Sequence, residues 1–266
     1  MKKSVIIHKL KTKAKGYTLV EMLVVVFIIA LLLGVGVTGL KSIISRKGVS
    51  AGLVVMKAKV EQTRTKAKGS GVPVRLVIHC DGEAARANAM DRERLFRYVA
   101  VAEYVDASGN VITSDRDSTD GTWTVREKGE LLPAKCFFDA ASSNSWKDGT
   151  GTYTAHYATT AADDAAILGD GRVMVKLPGD SELKECYFFE FNHIGIPTNP
   201  YSYTGAGGNV GERAARVVLS DGLLRASGSS MELVVQTDQR TYQGFVIARH
   251  GECVDFTDKD NIKDED

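Results

Sequence analysis

The sequence predicts an α+β fold: one long N-terminal helix, transmembrane at first and amphipathic beyond, packed on an antiparallel β-rich head. Three observations predict it. From Tyr17 to Leu40 every residue is apolar or small except Thr18, Glu21 and Thr38. Val49, Leu53, Met56 and Val60 then recur at spacings of four, three and four, one apolar stripe on a helix. Beyond Gly71 the helical period gives way to short alternating or β-branched runs divided by turn residues.

The chain opens on a basic leader, residues 1–16. Lys2, Lys3, Lys9, Lys11, Lys13 and Lys15 give it +6, so with +1 overall the remaining chain carries −5. A basic block directly before an apolar run is a topology signal, not a nucleic-acid signature.

Residues 17–40 read as a transmembrane anchor. Their 24 residues make a helix of ~36 Å, against ~30 Å of hydrocarbon. The six leader lysines outweigh Lys41, Arg46 and Lys47, so the leader is expected to stay cytoplasmic and everything after Leu40 to be exported. An ordinary secretory signal is cut after its apolar region. Here the distinctive junction lies before it, where Gly16 joins the basic and apolar segments and Glu21 follows five residues later. A carboxylate at the start of a span carries a cost, so it needs a function.

Residues 41–68 are expected to continue the helix to about Lys68, where Gly69-Ser-Gly71 and Pro73 end it. Gly34, Gly36 and Gly39 are its weak point.

Residues 69–266 form the head. Strands are expected over Val72–His79, Phe96–Val105, Arg172–Leu177, Cys186–Phe191, Ala214–Leu219, Met231–Gln236 and Gly244–Ala248. Turns are expected at Ser108-Gly-Asn110, Asp120-Gly121, Asp148-Gly149, Asp170-Gly171 and Asp221-Gly222, with a surface loop over Asn199–Gly211 and a solvated acidic tail from Asp255.

Gly16-Tyr-Thr-Leu-Val-Glu21 resembles the class III signal of type IV prepilins and type II secretion pseudopilins. The resemblance implies that a prepilin peptidase cuts after Gly16 and methylates the new N-terminus at Tyr17. It also implies that Glu21 pairs with an N-terminal amine during assembly. Tyr17 replaces the commoner phenylalanine and keeps the ring. Within that family the head is most similar to H-type minor pseudopilins and related minor pilins. Gln62-Thr-Arg64 through Val74-Arg-Leu-Val-Ile78 resembles their helix-to-strand junction, and Phe189–Gly195 with Tyr242–Gly251 their closing strands.

The function so implied is a minor pseudopilin, a structural subunit that initiates or tips the periplasmic pseudopilus of a type II secretion system. A minor pilin of a type IV pilus, with a role in DNA uptake, is the alternative, and a membrane-anchored ligand-binding head the second. The implied partners are the prepilin peptidase, other pseudopilins or pilins through the N-terminal helix, the inner-membrane assembly platform, and the lipid bilayer before assembly. The expected location is the inner membrane, single-pass, with the head in the periplasm. Nucleic acid is not expected from a mature chain at −5, although Arg213, Arg216, Arg225, Arg240 and Arg249 could converge.

Catalytic and ligand motifs fail on context. Gly48-Val-Ser-Ala-Gly52 has the spacing of a hydrolase nucleophile elbow without a strand before it. Asp115-Arg-Asp117-Ser-Thr-Asp120-Gly121 misplaces its third acid for a calcium loop, and Arg126 stands where the closing Glu belongs. Gly205–Gly211 lacks the third glycine of a dinucleotide turn, and His8, His79, His156, His193 and His250 have no metal-ligand spacing. No enzyme activity, cofactor or metal is expected. Cys80, Cys136, Cys186 and Cys253 are candidates for disulfides, with three full pairings open, and export makes at least one disulfide expected.

Overall fold

The computed structural model describes residues 19–112, 121–140, 143, 145–147, 153–155, 172–198, 201–204, 210–213, 215–235, 243–248 and 250–256. They fall in two compact units that divide between Ile43 and Ile44. Helix α1 is Leu19–Ser70, 52 residues. It ends as expected on a glycine in the left-handed region, Gly71 at φ +68°, whose N–H donates to the Ala67 carbonyl at 3.0 Å.

After α1 come β1 (Val74–His79), α2 (Gly82–Ala87), α3 (Ala89–Arg94), β2 (Tyr98–Val105), β3 (Thr122–Val125), β4 (Glu130–Leu131), β5 (Cys136–Phe138), β6 (Ser145–Lys147) and β7 (Tyr153–Ala155). Then follow β8 (Arg172–Lys176), β9 (Leu183–Phe191), β10 (Tyr201–Thr204), β11 (Val210–Arg213), β12 (Ala215–Ser227), β13 (Ser230–Val235), β14 (Gln243–Ile247) and β15 (Cys253–Phe256). Each run expected as a strand is one.

The first sheet closes on itself. Strand β1 pairs with β2 on one edge and β9 on the other, so Val77 lies opposite both Ala100 and Phe188. Then β9 pairs with β8, β8 with β3, and β3 with β2, completing a five-stranded barrel with β4 as an outlying strand on β2. The wholly antiparallel sheet expected from sequence is corrected here. The β3–β8 pairing is parallel, joining Trp123 to Val175 and Thr124 to Lys176.

The pleat sorts the barrel's side chains. Val77, Ala100, Ala102, Trp123, Val173, Val175, Cys186 and Phe188 fill the interior, as a barrel this narrow requires. Leu76, Ile78, Val99, Val101, Phe189 and Phe191 cover the outer wall, and against them pack Val49, Met56, Val60 and Ala67 of α1. Phe138, Val217, Leu219, Phe245 and Ile247, from the sheet ordered β13-β12-β14-β15 with β5 on β12, complete that second core. The C-terminal half of α1 is thus buried between the barrel wall and the second sheet. The buried stripe is Val49, Gly52, Met56, Val60, Thr63 and Ala67, while Leu53 is only partly covered. At Gly52 a Cβ would overlap the Cys136 Sγ, so glycine admits β5 to the helix surface.

Three local expectations are corrected. Asp221-Gly222 is no turn: β12 runs straight through it, passing from β14 and β5 to β13. The glycine lets the Leu233 side chain lie over the strand, where a Cβ at 222 would come within 2.7 Å of its Cδ1. The reversal falls instead at Gly228, φ +57°. The expected loop over Asn199–Gly211 instead carries β10 and the start of its antiparallel partner β11. Asp255 belongs to β15 and ion-pairs with Lys57 of α1, so the solvated tail does not begin there. Ser108-Gly109 turns as expected, with Gly109 at φ +83° and its N–H donating to the Asp106 carbonyl. The expected turns at Asp148-Gly149 and Asp170-Gly171, the acid-rich run from Asp115 to Asp120, His8, His156 and residues 257–266 lie outside the described residues.

Candidate assembly site

Gly16 and Tyr17 precede the described residues, and Glu21 stands in the first turn of α1. From Leu19 to Ile29 it is the only charged residue. Around it Leu19 is 83 % exposed, Val20 69 %, and Met22 through Ile29 are exposed throughout. An apolar surface so continuous has to be covered by lipid or by protein. Among the described residues no helix is long and apolar enough to cross a membrane. The side chains of residues 30–46, which take in residues 30–40 of the expected span, are outside that description. At the first turn of a helix the unpaired N–H groups and the macrodipole favour an acid, so Glu21 is electrostatically at home there.

In the head, the three segments quoted for their likeness to closing strands and helix junction converge on one residue. Arg64 of α1 donates from its Nη2 to the His250 carbonyl at 2.9 Å and ion-pairs with Glu61. Two glycines in left-handed turns, Gly195 at φ +76° and Gly251 at φ +83°, rest on its side chain, where a Cβ at either would overlap it. Sequence patterning missed Arg64 as an anchor because its partners lie far along the chain. On the opposite flank, Lys59 pairs with Glu130, and Lys66 with Glu103 and Glu127, tying α1 to the barrel.

The barrel interior also holds charge. Arg75 is buried, donates from Nε to Glu190 at 2.9 Å, and stacks between Trp123 and Phe188 with its guanidinium carbon 3.9 and 4.2 Å from the ring centroids. At the other end of β1, His79 is fully buried, with Nε2 3.9 Å from the Asp91 carboxylate, which itself pairs with Lys184 at 3.0 Å. Burial pulls the His79 pKa down from 6.5 to about 4, while the nearby Asp91 and Asp81 carboxylates oppose the fall and Arg94 and Lys184 add to it.

A proton therefore binds the unfolded chain at His79 before it binds the folded one. Stability is intact above pH 6.5 and is lost as pH falls from 6.5 toward 4, by about 3 kcal/mol for a shift of that size. Denaturant midpoints at pH 7 and pH 4.5 should differ by much of that amount in the wild type and by clearly less in His79→Leu. An equal acid loss in both would remove His79 as the cause.

No nucleophile and base are brought together at the elbow-like motif. Ser50 lies inside α1 and donates to the Gln243 amide oxygen at 2.9 Å. Among the described residues no cluster of His, Cys, Asp and Glu could hold a metal. No disulfide joins Cys80, Cys136, Cys186 or Cys253 in this structure, and the first three are buried. Of the arginines considered for DNA, Arg216 is buried and Arg225 is exposed opposite Glu232. They stand nine residues apart on one strand, ~30 Å at strand rise, and do not converge.

Residues 11–37 match the family model described as the prokaryotic N-terminal methylation motif. No curated protein and no solved structure matches the chain. The matched segment contains Gly16, Tyr17 and Glu21, and a class III signal of this kind implies processing by a prepilin peptidase and assembly with other pilins. The motif thereby indicates a type IV pilin-like protein, with a long N-terminal helix and a β-rich body that fit that α+β class.

Proposed function

We propose that the chain is a minor pseudopilin, a non-catalytic subunit that initiates or tips the periplasmic pseudopilus of a type II secretion system. The observation that carries the reading is the exposed apolar first section of α1 with Glu21 in its first turn, lying inside a methylation motif. That surface has two successive partners of matching chemistry, the acyl chains of the inner membrane and the apolar helices of neighbouring subunits. The leader lysines keep the N-terminus cytoplasmic, and the head is carried to the periplasmic side. In the filament the helices associate and the heads face outward, so the head is where a tip subunit would meet the next component.

Deleting the gene should leave exported substrate proteins trapped in the periplasm, and plasmid-borne wild type should restore their release. Normal secretion in the deletion strain, accompanied by loss of surface pili or of DNA uptake, would contradict the pseudopilus and assign the chain to a type IV pilus.

A further inference from the structure

Two of the four thiols lie next to each other across a pair of strands. His79 is in register with Cys186, and the N–H of Cys80 donates to the Glu185 carbonyl at 2.9 Å. Cys80 and Cys186 are therefore diagonal neighbours, with Cα atoms ~6 Å apart for strands ~4.8 Å apart and a rise of ~3.3 Å, within the span a disulfide bridges. In an uninterrupted ladder diagonal neighbours point to opposite faces. Cys80 stands at the ladder's end, one residue past its last registered pair, His79 with Cys186. Strand β1 ends at His79, and at Asp81, whose carboxylate caps α2 by accepting from the Ala84 N–H, the chain has already left the sheet.

Two other pairings fail, Cys136–Cys253 on distance and Cys136–Cys186 on the barrel wall. Cys136 is on β5 and Cys253 on β15, with β12 and β14 between them. Three strand spacings are ~14 Å, about twice what a disulfide reaches. Cys186 belongs to the barrel interior and Cys136 to the core outside it.

We propose that Cys80 and Cys186 are the head's disulfide, joining the exit of β1 to β9, while Cys136 and Cys253 stay thiols. Each sulfur loses one proton and one electron, the sulfur–sulfur bond forms, and the two protons and two electrons reduce a donor disulfide, a protein's or glutathione's, to two thiols. Burial raises both thiols well above their ordinary range, and the neighbouring Cys186 adds to the rise at Cys80, so oxidation at neutral pH is slow and depends on local opening near α2. That the bond forms in cells rests on the exported head proposed above; that the pair can form does not.

The test equilibrates the full-length chain in detergent across glutathione redox buffers, then alkylates it in denaturant and maps peptides by mass. One linked pair, Cys80 with Cys186, is expected, with Cys136 and Cys253 alkylated. Cys80→Ser and Cys186→Ser should each lose the link and gain no other, and the Cys136→Ala/Cys253→Ala double variant should keep it. The oxidised wild type should melt several degrees above the reduced form. Recovery of Cys80 and Cys186 as alkylated thiols or glutathione adducts in the most oxidising buffer, or a link from either to Cys136 or Cys253, would overturn the pairing. A pair that links in vitro but is reduced in protein taken from cells would instead count against export.

Discussion

The Glu21→Ala protein is expected to be cut after Gly16 as efficiently as wild type and to fall by about tenfold or more in sheared filament fractions. Cleavage leaves a cationic amine at Tyr17, close to the positive end of the helix macrodipole, and that amine gains from a carboxylate nearby. At ~4 Å and an effective dielectric of ~20 the attraction is ~4 kcal/mol before desolvation is subtracted, so a net tenfold effect, about 1.4 kcal/mol, is a modest demand. Alanine keeps the exposed apolar surface of Leu19–Ile29 and removes the carboxylate's cost in lipid, so the variant stays in the bilayer. On the proposed reading, what is lost is the element that makes a neighbour's amine a better partner than the bilayer. Normal recovery of a processed Glu21→Ala protein in filaments would remove Glu21 from assembly.

In the head the largest single effect should come from Glu190→Leu, which is expected to destabilise the fold by about 3–5 kcal/mol. Arg75 is 1 % exposed and Glu190 5 %, joined at 2.9 Å, and the Thr198 hydroxyl donates to the other carboxylate oxygen at 2.7 Å. Removing the acid takes from the guanidinium, buried between Trp123 and Phe188, its 2.9 Å ion pair with Glu190. The cost is one of charge burial, not of a strong bond lost. The Arg75→Met/Glu190→Leu double variant should therefore recover most of the loss, since a flexible thioether can replace the guanidinium against both rings. Urea titration of the three proteins decides it. A double variant as unstable as Glu190→Leu alone would mean that the pair stabilises the barrel beyond neutralising its own charges.

Local features of this molecule were legible in the sequence and non-local ones were not. The end of α1 rests on Gly71 and the strands on β-branched runs, both properties of a few adjacent residues. The closing of the barrel depends on β3 meeting β8 across about fifty residues, over a two-residue parallel contact that no short pattern announces. Asp221-Gly222 has the composition of a hairpin turn, yet its glycine serves the close approach of Leu233 from the facing strand. The short helices α2 and α3 went unread because each is set by a cap, Asp81 and Asn88, and not by an apolar stripe. The same division holds for function. Gly16, Tyr17 and Glu21 are recognisable because they fall within one continuous matched segment, residues 11–37. Arg75 carries no such local signal, since its partner Glu190 is 115 residues away.

We propose that this chain is processed as a prepilin and joins a filament through the exposed apolar start of α1. Mass analysis of the N-terminal peptide from membrane and filament fractions tests it most directly. The peptide should begin at Tyr17 and carry one additional methyl group on its amine, with residues 18–40 intact behind it. Mature material that still begins at Met1, or that has been cut after the apolar run near Thr38, would contradict it.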